Sequence, residues 1–395
     1  MNQRWNLTTL DKKHKKIDSL QSIRASAFLG IFLCHTGFDN VRGLGAWGVS
    51  VFIILSGFLM SYNYCDKYIF NDQSIIASIH FGIGKILKLY PLHILTMLAM
   101  AIFLLVGNGK ETLSTVLTKL ILNVLLIQEW FPIQNREING MSWFLCEVLF
   151  FYIVYPYIWK YINEKTKNIK NASLNIVISI TIIFIIGLLS NIYCSQSITK
   201  WIIYYCPLTR FWEFFIGCNL GYIFLKLNYT YSSKNNLILC RTFSIALVIL
   251  SNIIYCKYSA HRFGNYAYEY DRWWIYTLLF IISSSMLILT FATTCVGGGG
   301  RTEDTRHIVN YIYSFLQNVA VLSPYAFLIH TVVFRYLSIF YYHIPGTNGE
   351  QVYLEYGRYI NMTVGFGITM LLSHYYNLLD KKYRGKVSFN DHRRC

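Results

Sequence analysis

The sequence predicts an all-α polytopic membrane helix bundle, with about ten transmembrane helices and a re-entrant or surface helix near 115–130. Of the 395 residues, 54% are hydrophobic and only 14% charged, against about 25% charged in a soluble domain. Mean hydropathy is positive, at +0.38. Apolar runs of about 17 to 25 residues, the length that crosses a hydrocarbon core, recur from end to end. They fall at approximately 18–36, 46–63, 87–106, 142–160, 173–191, 210–226, 241–256, 274–294, 321–341 and 358–378. Residues 1–17 read as a basic leader, 18–378 as a single membrane domain and 379–395 as a basic tail.

The stretch 115–130 is short, only partly apolar and carries Lys119. If it does not cross, five basic segments share one side: the leader (Lys12, Lys13, Lys15, Lys16), the loop with Lys85 and Lys88, the NEKTKNIK loop, Lys234 with Arg241, and the KKYRGK tail. That is the positive-inside pattern, and it predicts both termini in the cytoplasm. If it does cross, Lys165, Lys167 and Lys170 move outside, so the non-crossing reading is preferred. The formal charge of +16 sits at the ends of apolar segments and forms no single stripe, which points to membrane orientation and away from nucleic acid. Ten cysteines are scattered singly, with no metal-ligand spacing, so no metal is expected. The first apolar run follows a basic leader, contains Arg24 and lacks a small-x-small cleavage site, so it is expected to stay attached as a span. The VGGGGRTEDTR segment (296–306) reads as a connector, because no Gly-Lys-Ser/Thr follows it.

Polar residues inside spans are costly and mark function by default. Arg24 and His35 lie eleven residues apart in the first span. On a helix that is roughly 16 Å of rise and about three turns, so both leave nearly the same face. An imidazole can take the proton of a hydroxyl nucleophile near neutral pH. Lys85 and Lys88 share a face at i, i+3, suited either to phosphates or to snorkelling at the boundary. Glu147 is the one acid within its apolar run and follows Trp143 at i−4; by depth its partner is His35 or Arg210. Arg210 and Glu213 can pair with each other at i, i+3, leaving them to position a substrate or to hold the site together. His330 lies mid-span, where a Tyr hydroxyl or a backbone carbonyl could satisfy it, while His93 and His374 are lone histidines more often bonded locally. No Gly-x-Ser-x-Gly elbow, HExxH helix or dinucleotide glycine fingerprint is present.

Six blocks together resemble the acyltransferase-3 family of integral membrane acyltransferases: SIRASAFLGIFLCH, GVSVFIILSGFLM, KILKLYPLHIL, NGMSWFLCEVLFFYIVYP, TRFWEFFIG and LSPYAFLIH. They stand in the family's order between about residues 18 and 378. By this resemblance Arg24 and His35 match an Arg-x10-His motif with His35 the catalytic histidine. Ser56, Gly57 and Phe58 match a Ser-Gly-Phe block, and Trp143 with Glu147 a Ser-Trp-x-Leu-x-x-Glu block. Arg210, Glu213 and Gly217 match the sixth-span block, and Tyr325 and His330 a late Ser-Tyr…His block. Two departures stand out. Lys85 and Lys88 replace a common Arg-x-x-Arg, losing the bidentate fork, and Pro324 interrupts Ser-Tyr, where it could kink the span start.

The resemblance implies transfer of a short acyl group, acetyl above all, from cytoplasmic acetyl-CoA to a hydroxyl of a cell-surface carbohydrate or its lipid-linked precursor. Acyl-CoA would be a co-substrate, with no tightly bound cofactor. Arg24, Lys85 and Lys88 would bind the donor, and His35 with Glu147 would carry the chemistry. Trp143, Arg210, Glu213, Tyr325 and His330 would form the acceptor or structural polar site. The alternatives are a non-enzymatic flippase for a lipid-linked sugar, which would also use midplane charges, and a glycosyltransferase, for which the loops are short.

Overall fold

The structure, a computed structural model, describes residues 16–64, 74–107, 111–132, 138–227, 230–231, 234–260, 273–295, 303–342 and 356–391. Most of the basic leader (1–15), the glycine connector over 296–302 and the last tail residues (392–395) lie outside these.

The described chain is almost wholly helical. The first half holds α1 (Asp18–His35), α2 (Arg42–Tyr64), α3 (Ile75–Ile86), α4 (Tyr90–Ile102), α5 (Leu113–Val124) and α6 (Trp143–Lys165). It continues with α7 (Ile169–Tyr193), α8 (Gln196–Lys200), α9 (Pro207–Leu227), α10 (Lys234–Ala260), α11 (Trp273–Ala292), α12 (Glu303–Tyr342), α13 (Arg358–Ile360) and α14 (Phe366–Asp391). A two-residue parallel bridge pairs Thr230–Tyr231 with Thr294–Cys295. Side-chain caps start three helices: Ser74 accepts from Ala77 N–H, Thr112 from Thr115 N–H and Asn168 from Asn171 N–H. Each satisfies one of the amide groups a helix start leaves without a partner.

All ten predicted apolar runs fall on helices, but ten spans are not established. Among the described residues, six helices are long and apolar enough to cross a membrane, on α2, α6, α7, α10, α11 and α12. A seventh arises if α3 and α4, bent by 65° at their break, count as one. The remainder fall short because polar groups dilute them: Asp18, Arg24 and His35 on α1, Arg210, Glu213 and Asn219 on α9, and Asp380 with its neighbouring lysines on α14. The third predicted run, 87–106, also begins inside a break. The chain leaves helix at Leu87 and resumes at Tyr90, with Pro91 in the first turn of α4, where its missing N–H costs nothing. The 12-residue α5 covers only about 18 Å, too short to cross.

Two of these polar helices, α1 and α9, sit inside the bundle. α1 packs on α2 and α12, and α9 on α2, α7 and α6. Glycine makes the α2–α9 crossing close: a Cβ on Gly57 would collide with Phe214 O, and one on Gly217 with Ile54 O. α1 and α12 run parallel, because Gln317 donates to Asp18 O at one end (3.0 Å) and His330 meets His35 at the other. The helix of α12 continues through Pro324 and is about 60 Å long.

Candidate active site

His35 is the last residue of α1, and its ring is held from two directions. Nδ1 lies 2.8 Å from Ile31 O, one turn back on the same helix. A carbonyl only accepts, so Nδ1 carries the proton and Nε2 keeps its lone pair. The second neighbour is His330: its Nδ1 lies 3.1 Å from Ala326 O, and its Nε2 lies 3.4 Å from His35 Nδ1. The same reasoning puts the His330 proton on Nδ1 and turns its Nε2 lone pair toward His35 N–H. His330 is fully buried, within ring contact of Phe28, Phe32, Phe327 and Phe334. This arrangement fixes the His35 tautomer and leaves an imidazole Nε2 that can accept a proton.

Arg24, on the same helix, does not reach the histidines. With Lys85, Ser56 and Tyr152 it lines a cavity of about 180 Å³ between α1, α2, α3, α6 and α12. The other walls include Phe52, Phe144, Ser323, Pro324 and Phe327. Lys85 also donates to the Tyr64 hydroxyl and sits over the Tyr64 and Phe81 rings. Lys88, three residues on, is not a wall of this cavity. It is half exposed, 3.9 Å from Asp380 Oδ2 and over the ring of Tyr325, whose hydroxyl donates to the same carboxylate at 3.1 Å. The sequence expectation that Lys85 and Lys88 act as a pair therefore divides, with Lys85 at the cavity and Lys88 bridging to α14. Tyr325 likewise belongs to the Lys88 and Asp380 contact and not to the histidine pair.

Glu147 faces α9. It is fully buried, and neither carboxylate oxygen has a hydrogen-bond partner among the described residues. Arg210, Glu129 and Glu213 are close enough to act on it electrostatically. Arg210 is committed elsewhere: its guanidinium binds Glu213, as the i, i+3 spacing predicts, and its Nε donates to Tyr204 O at 3.0 Å. The Arg210 guanidinium also lies 4.6 Å from the Tyr204 ring centroid, and Trp143 packs its ring against Tyr204 and Tyr205. Of the two partners that depth allows Glu147, His35 is not the one these contacts provide, since Ile31 O and His330 hold that ring.

Sequence reasoning does not single out a buried amide network beside the site. Asn139 donates to Leu328 O (2.9 Å) and accepts from Thr331 (2.8 Å), tying the start of α6 to α12 next to His330. Ser142 donates to Asn123 Oδ1 (2.8 Å), and His93 meets Asn123 O (3.0 Å), which gives His93 the local, structural role its isolation suggests. Gln128 and Glu129 are fully buried in the turn after α5. Their one visible signal is position: polar residues inside an apolar segment too short to cross.

Apolar helices wrapped around buried charge, with a tautomer-fixed histidine and a cavity that carries cations, define a membrane-embedded helical bundle with a polar interior site. The chain belongs to the acyltransferase-3 family, whose acyltransferase domain matches residues 17–376. It is similar to acyltransferase MdmB of Streptomyces mycarofaciens, with 28% identity over 166 residues, covering 38% of this chain and 41% of that protein. The chain thus spans less than half the length of that curated relative. No solved structure matches it.

Proposed function

We propose that this protein moves a short acyl group, acetyl from cytoplasmic acetyl-CoA, to a hydroxyl of a cell-surface carbohydrate or its lipid-linked precursor. The reading is carried by one observation: His35, with Nδ1 committed to Ile31 O and facing His330, keeps Nε2 for proton transfer beyond a cavity that holds Arg24 and Lys85. In the positive-inside orientation both termini and Lys85 face the cytoplasm of the inner membrane, α1 runs outward and α5 is re-entrant. The donor enters from the Lys85 side, with its phosphates at Lys85 and Arg24 and assisted at the rim by Lys88. His35 Nε2 takes the acceptor proton as the hydroxyl attacks the thioester carbonyl. His330 is a positioning residue that accepts from Nδ1–H and steadies the imidazolium formed. Trp143 and Tyr204 offer aromatic faces, and Glu147 offers free acceptor oxygens to the hydroxyls of a sugar. Arg210 and Glu213 keep that wall in place. The same layout favours an enzyme over a flippase, which has no need of a tautomer-fixed base.

The test is mass spectrometry of surface glycans from cells making wild-type protein, His35→Ala protein or neither. The expected result is an added acetyl group on a sugar that disappears with the His35 variant. In parallel, purified protein is given labelled acetyl-CoA. No turnover of the label with either protein, at confirmed membrane abundance, returns the reading to a flippase.

A further inference from the structure

The donor cavity stops short of the histidines, and the residues that close it are three phenylalanines. Phe52, Phe144 and Phe327 all line the cavity, whereas His35 and His330 do not. The three rings touch pairwise: centroids are 6.1 Å apart for Phe52 and Phe144, 6.1 Å for Phe52 and Phe327, and 5.3 Å for Phe144 and Phe327. On its far side Phe327 meets the His330 ring at 6.2 Å.

Three helices set this order independently. Phe52 lies four residues from Ser56 on α2, Phe144 eight from Tyr152 on α6, and Phe327 four from Ser323 on α12. At 1.5 Å per residue these are rises of about 6, 12 and 6 Å. In each case the direction is away from Lys85. The Tyr64 end of α2 and the Trp159 end of α6 meet at the Lys85 level, where Trp159 donates to Tyr64 O. α12 runs outward beside α1. Lys85 and the hydroxyl groups therefore lie below, the three rings between, and the histidines above.

We infer that Phe52, Phe144 and Phe327 form a septum that decides whether the acyl group goes to an acceptor or to water. The inference rests on the donor reading above. In transfer, the acceptor O–H gives its proton to His35 Nε2, the acceptor oxygen forms the new ester C–O bond and the thioester C–S bond breaks. The proton then passes from the histidine to the departing CoA sulfur. In hydrolysis, water supplies the oxygen and the products are acetate and CoA. Closing a site against water suppresses the second route. The rings suit that task because they hold one another by contact alone, and Phe52 and Phe144 are only half-buried, so they can turn aside as the donor and acceptor meet.

The experiment uses the purified full-length chain in lipid nanodiscs with acetyl-labelled CoA and no acceptor. Bound acetyl-CoA and released labelled acetate are measured together. Wild-type protein is expected to bind the donor and release acetate slowly. Per molecule of bound donor, Phe327→Ala is expected to release acetate about tenfold faster or more, while Phe327→Leu stays nearer wild type. Adding His35→Ala to Phe327→Ala should return release to background. Because deleting a buried ring can cost the fold, Phe52→Ala and Phe144→Ala provide the same readout from half-buried positions. If the folded ring variants bind acetyl-CoA and release acetate at the wild-type rate, the septum is overturned and the donor reading stands. Faster release that survives the loss of His35 overturns the septum in the same way. If neither wild type nor variants bind acetyl-CoA, the donor reading fails, and the septum with it.

Discussion

Replacing His330 with leucine removes one of the two acceptors around His35 Nδ1–H and leaves the other, Ile31 O at 2.8 Å, in place. Leucine is apolar and fits a site framed by Phe28, Phe32, Phe327 and Phe334, so loss of packing is kept small. Hydrogen bonds to a charged group contribute about 1.5–3 kcal/mol. The His35–His330 contact is long, at 3.4 Å, so the lower end applies. About 1.4 kcal/mol is tenfold in rate, and kcat for acyl transfer is therefore expected to fall about tenfold. His330 does not line the cavity of Arg24 and Lys85, so on the proposed reading KM for acetyl-CoA should stay put. His330→Gln, whose Oε1 can accept the same proton, should recover much of the loss. The assay is transfer or acetate release from labelled acetyl-CoA across a range of donor concentrations. A folded His330→Leu protein with wild-type kcat, or a Gln variant no better than Leu, would refute the positioning role.

Other substitutions separate neighbours that the sequence treats alike. Lys85→Ala should raise KM for acetyl-CoA, whereas Lys88→Ala should raise it much less, since only Lys85 lines the cavity; titration of each variant with donor decides. Arg24→Ala should lower acyl transfer at normal abundance, and full activity would detach Arg24 from the donor. Arg210→Ala leaves Glu213 and Glu147 buried without their cation, a change that costs roughly 3–5 kcal/mol when a buried pair is broken. Its membrane abundance and thermal midpoint should drop, and Glu213→Gln added to it should restore part of both. Gly217→Val drives a branched side chain against Ile54 O across the α2–α9 crossing, and overpacking of this kind costs typically about 1–3 kcal/mol. A midpoint unchanged in a detergent thermal-shift assay would contradict the close approach.

The apolar runs place the helices well, because span length and hydropathy are local properties. They miss α3, whose apolar residues from Ile75 precede the break at Leu87 and read as part of a loop, and they shorten α12, whose first residues are polar. They also count α1, α9 and α14 as ordinary spans, although their polar residues leave them short of the apolarity of the other six. At the site, the Arg24 to His35 spacing gives one helix and the Arg210 to Glu213 spacing gives an ion pair, both readable within one or two turns. What separates Lys85 from Lys88 is Asp380, almost three hundred residues later, and no local pattern announces it. A backbone carbonyl is one of the partners expected for His330, and Ala326 supplies it; the second neighbour cannot be read from α12 alone. Glu147 shows the same limit, since depth in the membrane names two candidate partners and only packing selects between them.

The two histidines stand 295 residues apart in the chain. At a synthesis rate of about 5–20 residues per second, His35 waits roughly 15 to 60 s for the helix that carries its neighbour to be made. Until then α1, with its arginine and its histidine, has only α2 and whatever follows to shelter it from lipid. Half of the parallel α1–α12 seam is made early and half late, so any chain halted before Ala326 has Arg24 and Lys85 but lacks both the Phe327 ring and the imidazole that faces His35.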